Sequence, residues 1–486
     1  MKGASAAGEA KRRMMPELAV RVPEDWGVRP VPLERRRLRA FDLAVLWGDL
    51  AVSLLVMVAG ALLVPALGTK DALLAIVVGN VLGAVLLALA GMVGSSTGVP
   101  TMVALRPALG IRGSYLASGL NILQLIGWAG LEIIVMAQAA RSLSDHYTGF
   151  SGYYFWLAFF GVVGTVMAVG GPIMVVRQWL QKFGVWVVVG ASVWLTFHLF
   201  DAYNVGEIWR RGGEGGFPNF WQGVDLVIAL PVSWLPLVCD YNRFARRAVT
   251  GGIGTYVGYI IANIWFFTLG MLYVQALATD PGGFVDALVT MLLPLAAGWL
   301  ALIVLLVGET DEAFANIYST AVSIQNLLSK VKLAVLATAV GLVAMLAAVS
   351  LNLMGYENFL LLIGGAFVPV FGIFLADYFL VRRRSYEIEE LYRESGSYWY
   401  GLGLSPLGLV VWLAGFLLYC FAAQPPWLVE HADFMTWAPG WVSHIGGTIP
   451  ALLFSFVAYW AGARAWLGAG LAQRTPTAAS AGVEGS

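Results

Sequence analysis

The run Leu230-Pro231-Val232-Ser233-Trp234-Leu235-Pro236 lies within an apolar stretch, residues 222–240, of a length that crosses a bilayer. Its two prolines, five positions apart, each remove an amide donor and disfavour continuous helix. A second apolar stretch, 42–66, carries Trp47-Gly48-Asp49 and then Ser53, placing a glycine and an acid inside one run. Within a bilayer, irregular backbone is tolerated only where it lines a cavity or is buried in protein. Two such interrupted segments in corresponding halves of a chain point to the central site of a transporter.

Composition agrees with a membrane setting. Of 486 residues, 59% are apolar and 12% charged, against roughly 45–50% and 25% in soluble domains. So few charges cannot cover the exterior of a soluble protein of this size. Twelve candidate helices are read near 42–66, 71–95, 113–140, 152–170, 182–200, 222–240, 253–277, 293–327, 332–350, 357–381, 403–422 and 447–468. None alternates as a lipid-facing strand does, so the chain is an all-α integral membrane protein and not a β-barrel. Residues 1–40 form an Arg-rich tail without the apolar core of a signal peptide. A ten-helix core is expected over 41–385, with a first half at 41–200 and a second at 222–385. Two additional helices are expected over 400–470, and a disordered tail over 471–486.

Cys239 and Cys420 sit in separate apolar runs, and the four histidines lack metal-ligand spacing. Neither a disulfide framework nor a zinc or haem cofactor is indicated. Lys+Arg and Asp+Glu balance at 29 each, so net charge points to no nucleic-acid partner. The partners expected are the lipid bilayer and a small molecule, and the chain is read as a monomer.

The basic residues set the orientation. With the N-terminus inside, only Lys70, Arg141, Arg210 and Arg211 of the 29 fall on the outer side. Arg106, Arg112, Arg177, Lys182, Arg243, Arg246, Arg247, Lys330, Lys332 and Arg382-Arg383-Arg384 all fall inside. This asymmetry is the positive-inside pattern, and it places both termini in the cytoplasm of a cell-membrane protein. Trp427, Trp437 and Trp441 in the last outer loop suit a water–lipid interface.

Carboxylates near the bilayer centre are costly and each needs a reason. Asp42, Asp240 and Asp377 stand at span ends near Arg39, Arg243 and Arg382, and read as helix-end ion pairs. Asp49 in span 1, Glu132 in span 3, and Glu309, Asp311 and Glu312 in span 8 lie deeper, with no Lys or Arg within the apolar runs of spans 1, 3 and 8 to neutralise them. They must be protonated, hydrated, or facing a cation. Gln124, Trp128 and Glu132 share one helical stripe at i, i+4, i+8. An aromatic plane one turn from a carboxylate can stack a flat ring while the acid accepts from its N–H edge. Glu309, Glu312 and Asn316 share a second stripe, whereas Asp311 and Ala315 lie on another face of span 8. An offset of about 180 residues between halves matches span 1 to span 6 and sets Glu132 against Glu312.

The sequence resembles the nucleobase:cation symporter-1 family, whose members carry cytosine, hydantoins, allantoin and the hydroxymethylpyrimidine precursor of thiamin. The resembling residues are Leu46-Trp47 to Ser53, Thr97-Gly98-Val99-Pro100-Thr101 through Arg106, Gly110, Arg112 and Gly113, and Gly127-Trp128. They continue with Asp240-Tyr241-Asn242-Arg243-Phe244, Asn316-Ile317-Tyr318-Ser319 and Ala376-Asp377-Tyr378-Phe379-Leu380. The resemblance implies a leucine-transporter-type 5+5 inverted repeat followed by two further helices, working as a cation-coupled symporter and not as an enzyme. It implies that Trp128 stacks on the substrate ring, that Glu132 hydrogen-bonds it and that Asn316 contacts it. It also implies a cation site built from span-1 carbonyls, around Ala51, and from span-8 positions Thr310 and Asp311, where Na+ or H+ would couple transport. The chain departs from the family in having Pro231 at the span-6 aromatic position, with Trp234 three residues later, and an Asp where members place a hydroxyl.

With Gln124, Asp49, Ser233, Trp234 and Glu312 added to Trp128, Glu132 and Asn316, the expected substrate site is rich in hydrogen-bond acceptors. It favours a ligand with N–H donors, cytosine or an aminopyrimidine thiamin precursor, over uracil, hydantoin or allantoin. Two rival readings are an amino-acid or amine transporter of the same fold and an intramembrane enzyme. The second lacks an in-span Lys or a His-x-x-x-His pair.

Overall fold

The computed structural model describes residues 26–171, 185–295, 297–351, 355–431 and 441–473. The expectations for the tails at 1–25 and 474–486, for Arg177 and Lys182, and for Trp437 lie outside the described residues. Helices stand at all twelve expected positions. Span 1 is Ala40–Asp49 and Leu54–Ala61, bent by 61° at the break between them. Spans 2 to 5 are Thr69–Thr97, Gly113–Thr148, Tyr153–Gly170 and Val185–Ala202. Span 6 is Phe220–Trp234, which passes through a 3-10 turn, Leu235–Leu237, into Val238–Asn242. Spans 7 to 12 are Ala248–Ala276, Gly298–Leu327, Leu333–Ser350, Tyr356–Leu375, Pro406–Ala423 and Thr448–Gln473. Eight of these are long and apolar enough to cross a membrane by themselves, and the bent pair of span 1 makes a ninth. Spans 5, 8 and 12 are assigned by position; in span 8 the acids and amides of 309–326 dilute the apolar character.

The packing falls into sets. Spans 1, 2, 6 and 7 pack on one another, and spans 3, 4, 8 and 9 form a second group in which spans 3 and 8 share the most extensive contact. Span 5 leans on span 8, and spans 10, 11 and 12 pack together beside them. Without a hydrophobic drive between helices in lipid, close approach depends on small residues. Spans 1 and 7 meet backbone to backbone for this reason. A Cβ at Gly254 would collide with the carbonyl of Ala40, one at Gly258 with that of Ala44, and one at Gly270 with that of Met57.

The span-6 prolines act differently from one another. The helix runs through Pro231, whose ring sits where a side chain on Gly83 of span 2 would stand, and gives way only at Leu235–Leu237, where Pro236 lies. The start expected for span 8 at 293 moves to Gly298, because Phe284–Leu292 forms a separate short helix and the chain then turns tightly at Leu292 against Gly298. The segment read as tail up to residue 40 is anchored from residue 26 onward. Val31 N–H donates to the Gly98 carbonyl (2.8 Å), the Arg36 guanidinium caps the end of span 2 at the Ser95, Ser96 and Thr97 carbonyls, and Tyr392 donates to the Val28 carbonyl (2.6 Å).

The glycine contact makes a direct prediction. Gly258→Val should lower the thermal stability of the detergent-solubilised protein by about 1–3 kcal/mol or abolish monodisperse expression. Gly119→Val, where nothing stands within 4 Å of the added carbon, serves as control. A Gly258→Val protein as stable as the Gly119→Val protein would contradict the packing described.

Candidate functional site

The centre of the molecule is organised by the break in span 1. Four residues, 50–53, separate its two helices, and a helix that begins in the middle of a membrane leaves amide donors without intrahelical partners. Ser53 caps the second helix, its Oγ accepting from Leu55 N–H at 3.0 Å. The carboxyl of Glu309, from span 8, accepts from Leu54 N–H in a short hydrogen bond and from Ser53 Oγ at 3.2 Å. A carboxylate at a helix N-terminus is favoured by the aligned peptide dipoles as well as by the hydrogen bonds. Glu309 therefore has a structural task, and its signal was in the sequence: Ser53 immediately before an apolar run is an N-cap pattern. The break in span 6 is closed in a matching way, with Cys239 N–H donating to Thr101 Oγ1 (3.0 Å) and Thr101 N–H donating to Asp240 Oδ1 (3.0 Å).

The remaining acids form two facing pairs. Asp49, at the end of the first helix of span 1, is an electrostatic neighbour of Asp311 of span 8. Glu132 stands beside Glu312 in the same manner, about 180 residues apart and on the two helices that pack most extensively. Asn316 Nδ2 donates to Glu132 Oε1 at 2.7 Å, fixing one member of the second pair. All five carboxyls are buried, and two carboxyls this close need a shared proton or a cation between them. Among the described residues no group of three or more His, Cys, Asp and Glu gathers as metal ligands. The acids are thus pairs plus a helix cap, and not a cage for a hard divalent ion.

A small cavity of about 10 Å³, room for about one water molecule, lies between the two groups of spans. It is lined by Leu50, Ser53, Leu55 and Val56 of span 1, Trp128 of span 3, Leu230, Ser233 and Trp234 of span 6, and Glu312 and Asn316 of span 8. Of the residues expected at the substrate, the structure brings Trp128, Ser233, Trp234, Glu312 and Asn316 to this cavity, with Glu132 directly behind Glu312. Gln124 stands outside its lining. Its Nε2 donates to Asn121 Oδ1 (2.8 Å) and to the Ser233 carbonyl (3.1 Å), tying span 3 to the span-6 segment. Asp49 faces Asp311 instead of the cavity. Thr310 and Asp311 border a different, apolar groove, and Thr310 Oγ1 donates to the Leu306 carbonyl at 2.8 Å. Ala51 is fully buried within the span-1 break.

Aromatic residues define the cavity walls. Trp128 packs edge-on against Tyr356 (centroids 5.8 Å) and Phe359 (5.2 Å) of span 10, and its buried indole N–H has no partner. Trp234 packs edge-on against Trp47 (6.1 Å), which in turn donates to Asn242 Oδ1 at 2.8 Å. Span 10 was expected as a helix, but the sequence reading missed its part in the site. Tyr356 donates to the Leu55 carbonyl at 3.2 Å, but nothing in a lone tyrosine at a span start announces that contact. The three helix-end acids also differ. Asp377 pairs with Arg382 (3.7 Å) and accepts from Tyr386 and Tyr459 (2.9 Å each), whereas Asp42 accepts from the Arg39 N–H (2.6 Å) as a helix cap. Arg243 stays beside Asp240, its Nε donating to the Asp240 carbonyl (3.1 Å), while its other nitrogens reach Gly27 and Tyr318 and the Asp240 carboxylate accepts from Thr101 N–H.

With this geometry in place the comparisons are decisive. The family model described as permease for cytosine/purines, uracil, thiamine, allantoin matches residues 30–441. The chain belongs to that permease family. It is 24% identical over 407 residues to the hydantoin permease of Microbacterium maritypicum, covering 79% of this chain and 81% of that one. It is 26% identical over 372 residues to the cytosine permease of Escherichia coli strain K12, covering 73% and 82%. Among solved structures, a nucleobase-cation-symport-1 family transporter in a closed conformation with bromovinylhydantoin bound superimposes with a TM-score of 0.76. The two chains are 21% identical, with 91% of this chain and 96% of that one covered. A Na+-coupled sialic acid symporter superimposes with a TM-score of 0.59 at 13% identity, over 89% and 91%. The fold is the leucine-transporter-type inverted repeat, and the permease is a secondary active transporter and not an enzyme.

The cap on span 1 predicts a graded pair of variants. Glu309→Leu, which removes the acceptor, should cost about 2 kcal/mol of stability, read as a lower unfolding temperature in detergent. Glu309→Gln, which keeps a carbonyl acceptor, should retain most of it. Equal destabilisation by both would show that the hydrogen bond to Leu54 is not what Glu309 provides.

Proposed function

We propose that this permease imports an aminopyrimidine nucleobase, such as cytosine or a hydroxymethylpyrimidine, together with a monovalent cation. The observation that carries the reading is the cavity wall where Glu312 and Asn316 stand beside Trp128, with Glu132 behind them. The cavity is closed down to about 10 Å³, so substrate enters as the two groups of spans part; a flat ring then stacked on the Trp128 indole would present its exocyclic amine to carboxyl oxygens, which accept. Uracil, hydantoin and allantoin offer carbonyls along more of their edges and are the poorer fit. Trp234 and Ser233 are assigned to the opposite wall, and Gln124 holds the span-6 segment that carries them.

The coupling cation, Na+ or H+, is assigned to Asp311 with Asp49, assisted by Thr310 and by the backbone around Ala51 in the span-1 break. The support is the Asp49–Asp311 juxtaposition, which takes the place of the hydroxyl ligands of the family pattern with a pair that one positive charge would balance. Transport proceeds by alternating access, with spans 1, 2, 6 and 7 rocking against spans 3, 4, 8 and 9 around the cavity. Both termini face the cytoplasm, as the basic residues require. The permease is assigned as a monomer.

In proteoliposomes, radiolabelled cytosine or hydroxymethylpyrimidine should accumulate when a sodium or a proton gradient is imposed in turn, with one of the two driving uptake. Asp311→Asn should leave exchange of internal for external substrate in place and abolish the gradient stimulation. Trp128→Ala should weaken substrate by at least about tenfold, the equivalent of about 1.4 kcal/mol of stacking. Accumulation in the absence of any cation gradient, or undiminished stimulation in the Asp311→Asn protein, would contradict the reading.

A further inference from the structure

Outside the substrate cavity, an apolar groove of about 1350 Å³ opens between spans 3, 4 and 8. Its walls include Ala140 and Leu143 of span 3, Phe159 and Val163 of span 4, and Ile303 and Val307 of span 8. All three helices cross the bilayer, and Phe155, Phe159, Trp299 and Ile303 are each at least 39% exposed along its mouth. Lipid is the medium that surface meets.

The groove is also graded in polarity and measured in depth. Its rim at the Thr148 end carries Ser144, Tyr147, Thr148 and Trp156, with Trp156 Nε1 donating to Ser144 Oγ at 2.9 Å and Tyr147 to the Leu293 carbonyl at 3.2 Å. Tyr and Trp at such a level mark a bilayer interface. From Trp299 at the rim to Asp311 at the floor, span 8 descends 12 residues, or about 18 Å at ~1.5 Å per residue. One leaflet of a hydrocarbon core is about half of ~30 Å. The depth is that of a single acyl chain lying along the helices.

A basic residue lies on the same helix beside this rim. Arg141 is exposed and shares a helical face with Ser144 and Thr148 at i, i+3, i+7. It is one of only four basic residues that the sequence pattern assigns to this side of the membrane, and neither the substrate cavity nor the cation pair uses it. Arg141 is not itself part of the groove lining, but it follows Ala140 of the groove wall on span 3, and a guanidinium beside an apolar groove of one-leaflet depth matches a phosphate joined to a chain.

We propose that the groove between spans 3, 4 and 8 is a specific lipid site, holding one acyl chain of a phospholipid whose phosphate is met by Arg141. The floor of the site is the Thr310–Asp311 face of span 8. A resident chain therefore seals that face from the bilayer and lies against the helix that must shift during transport.

The test uses the full chain reconstituted with a phospholipid carrying a photoactivatable group near the end of one chain. After irradiation, peptide mass spectrometry should find adducts at Phe159, Val163, Ile303 and Val307 at several times the level on the exposed face of span 9 at Leu342 and Leu346. Val163→Trp, which fills the groove, should bring groove labelling down to the span-9 level, while thermal unfolding shows that the variant is folded. Arg141→Ala should remove the advantage of the phospholipid over a photoactivatable diacylglycerol without abolishing labelling. Uniform labelling of groove and span 9 would overturn the proposal. So would equal labelling by phospholipid and diacylglycerol in the unmodified protein. Protection of the groove by a free fatty acid and by no phospholipid would assign it to a different occupant and overturn it as well.

Discussion

A helix that starts in the middle of a membrane must have its first amides satisfied from outside itself, and in this permease Glu309 does so for the second half of span 1. The hydrogen bonds from Leu54 and Ser53 to that carboxyl fix span 8 against the break and hold the break open as a structural feature. Much else depends on it. Leu50 and Ser53 reach the cavity only because the chain leaves helical geometry there, and Leu55 and Val56 line it from the capped helix. Asp49 stands near Asp311 because the first helix ends where it does. Removing the cap would leave buried amide groups unpaired, which costs far more than the net worth of an ordinary hydrogen bond.

Span 8 serves three purposes within about one helical turn of side chains. Glu309 points to the span-1 cap, Asp311 to Asp49, and Glu312 to Glu132 and the cavity. The helical repeat separates these directions, so neighbouring acids act on different partners. The Glu132–Glu312 contact has a further origin in the two halves of the chain. Residues at matching positions of an inverted repeat approach each other near its pseudo-two-fold axis, and spans 3 and 8 pack most extensively there.

Much of this was legible in the sequence because membrane physics is strict. The apolar runs, the interruption at 48–53 and the deep acids each violate a rule that lipid enforces, and each violation marks a real feature. The disorder of roles within the acids was less legible. Periodicity placed Glu309 with Glu312 and Asn316 on one stripe, yet a one-turn difference sends Glu309 to a helix cap, because the direction depends on where span 1 breaks. Pro231 misled for a comparable reason. A proline removes one amide hydrogen bond, but the helix can persist if its ring packs well, and Gly83 of span 2 provides the space. Gln124 has the residue type of a binding site, yet its amide ties span 3 to the span-6 segment. Tyr356 and Phe359 had no local signal, since their contacts with Trp128 arise from how span 10 crosses the core.

The central claim is that carboxyl groups at the cavity select a ring bearing an amine. The most direct measurement is equilibrium competition against bound radiolabelled cytosine in the purified permease, using uracil as competitor, for the wild type and for Glu132→Gln with Glu312→Gln. The account predicts that the wild type prefers cytosine by at least about tenfold, one charge-assisted hydrogen bond's worth, and that the double variant loses most of that preference. An unchanged preference in the double variant, or a wild type that binds uracil as tightly as cytosine, would contradict it.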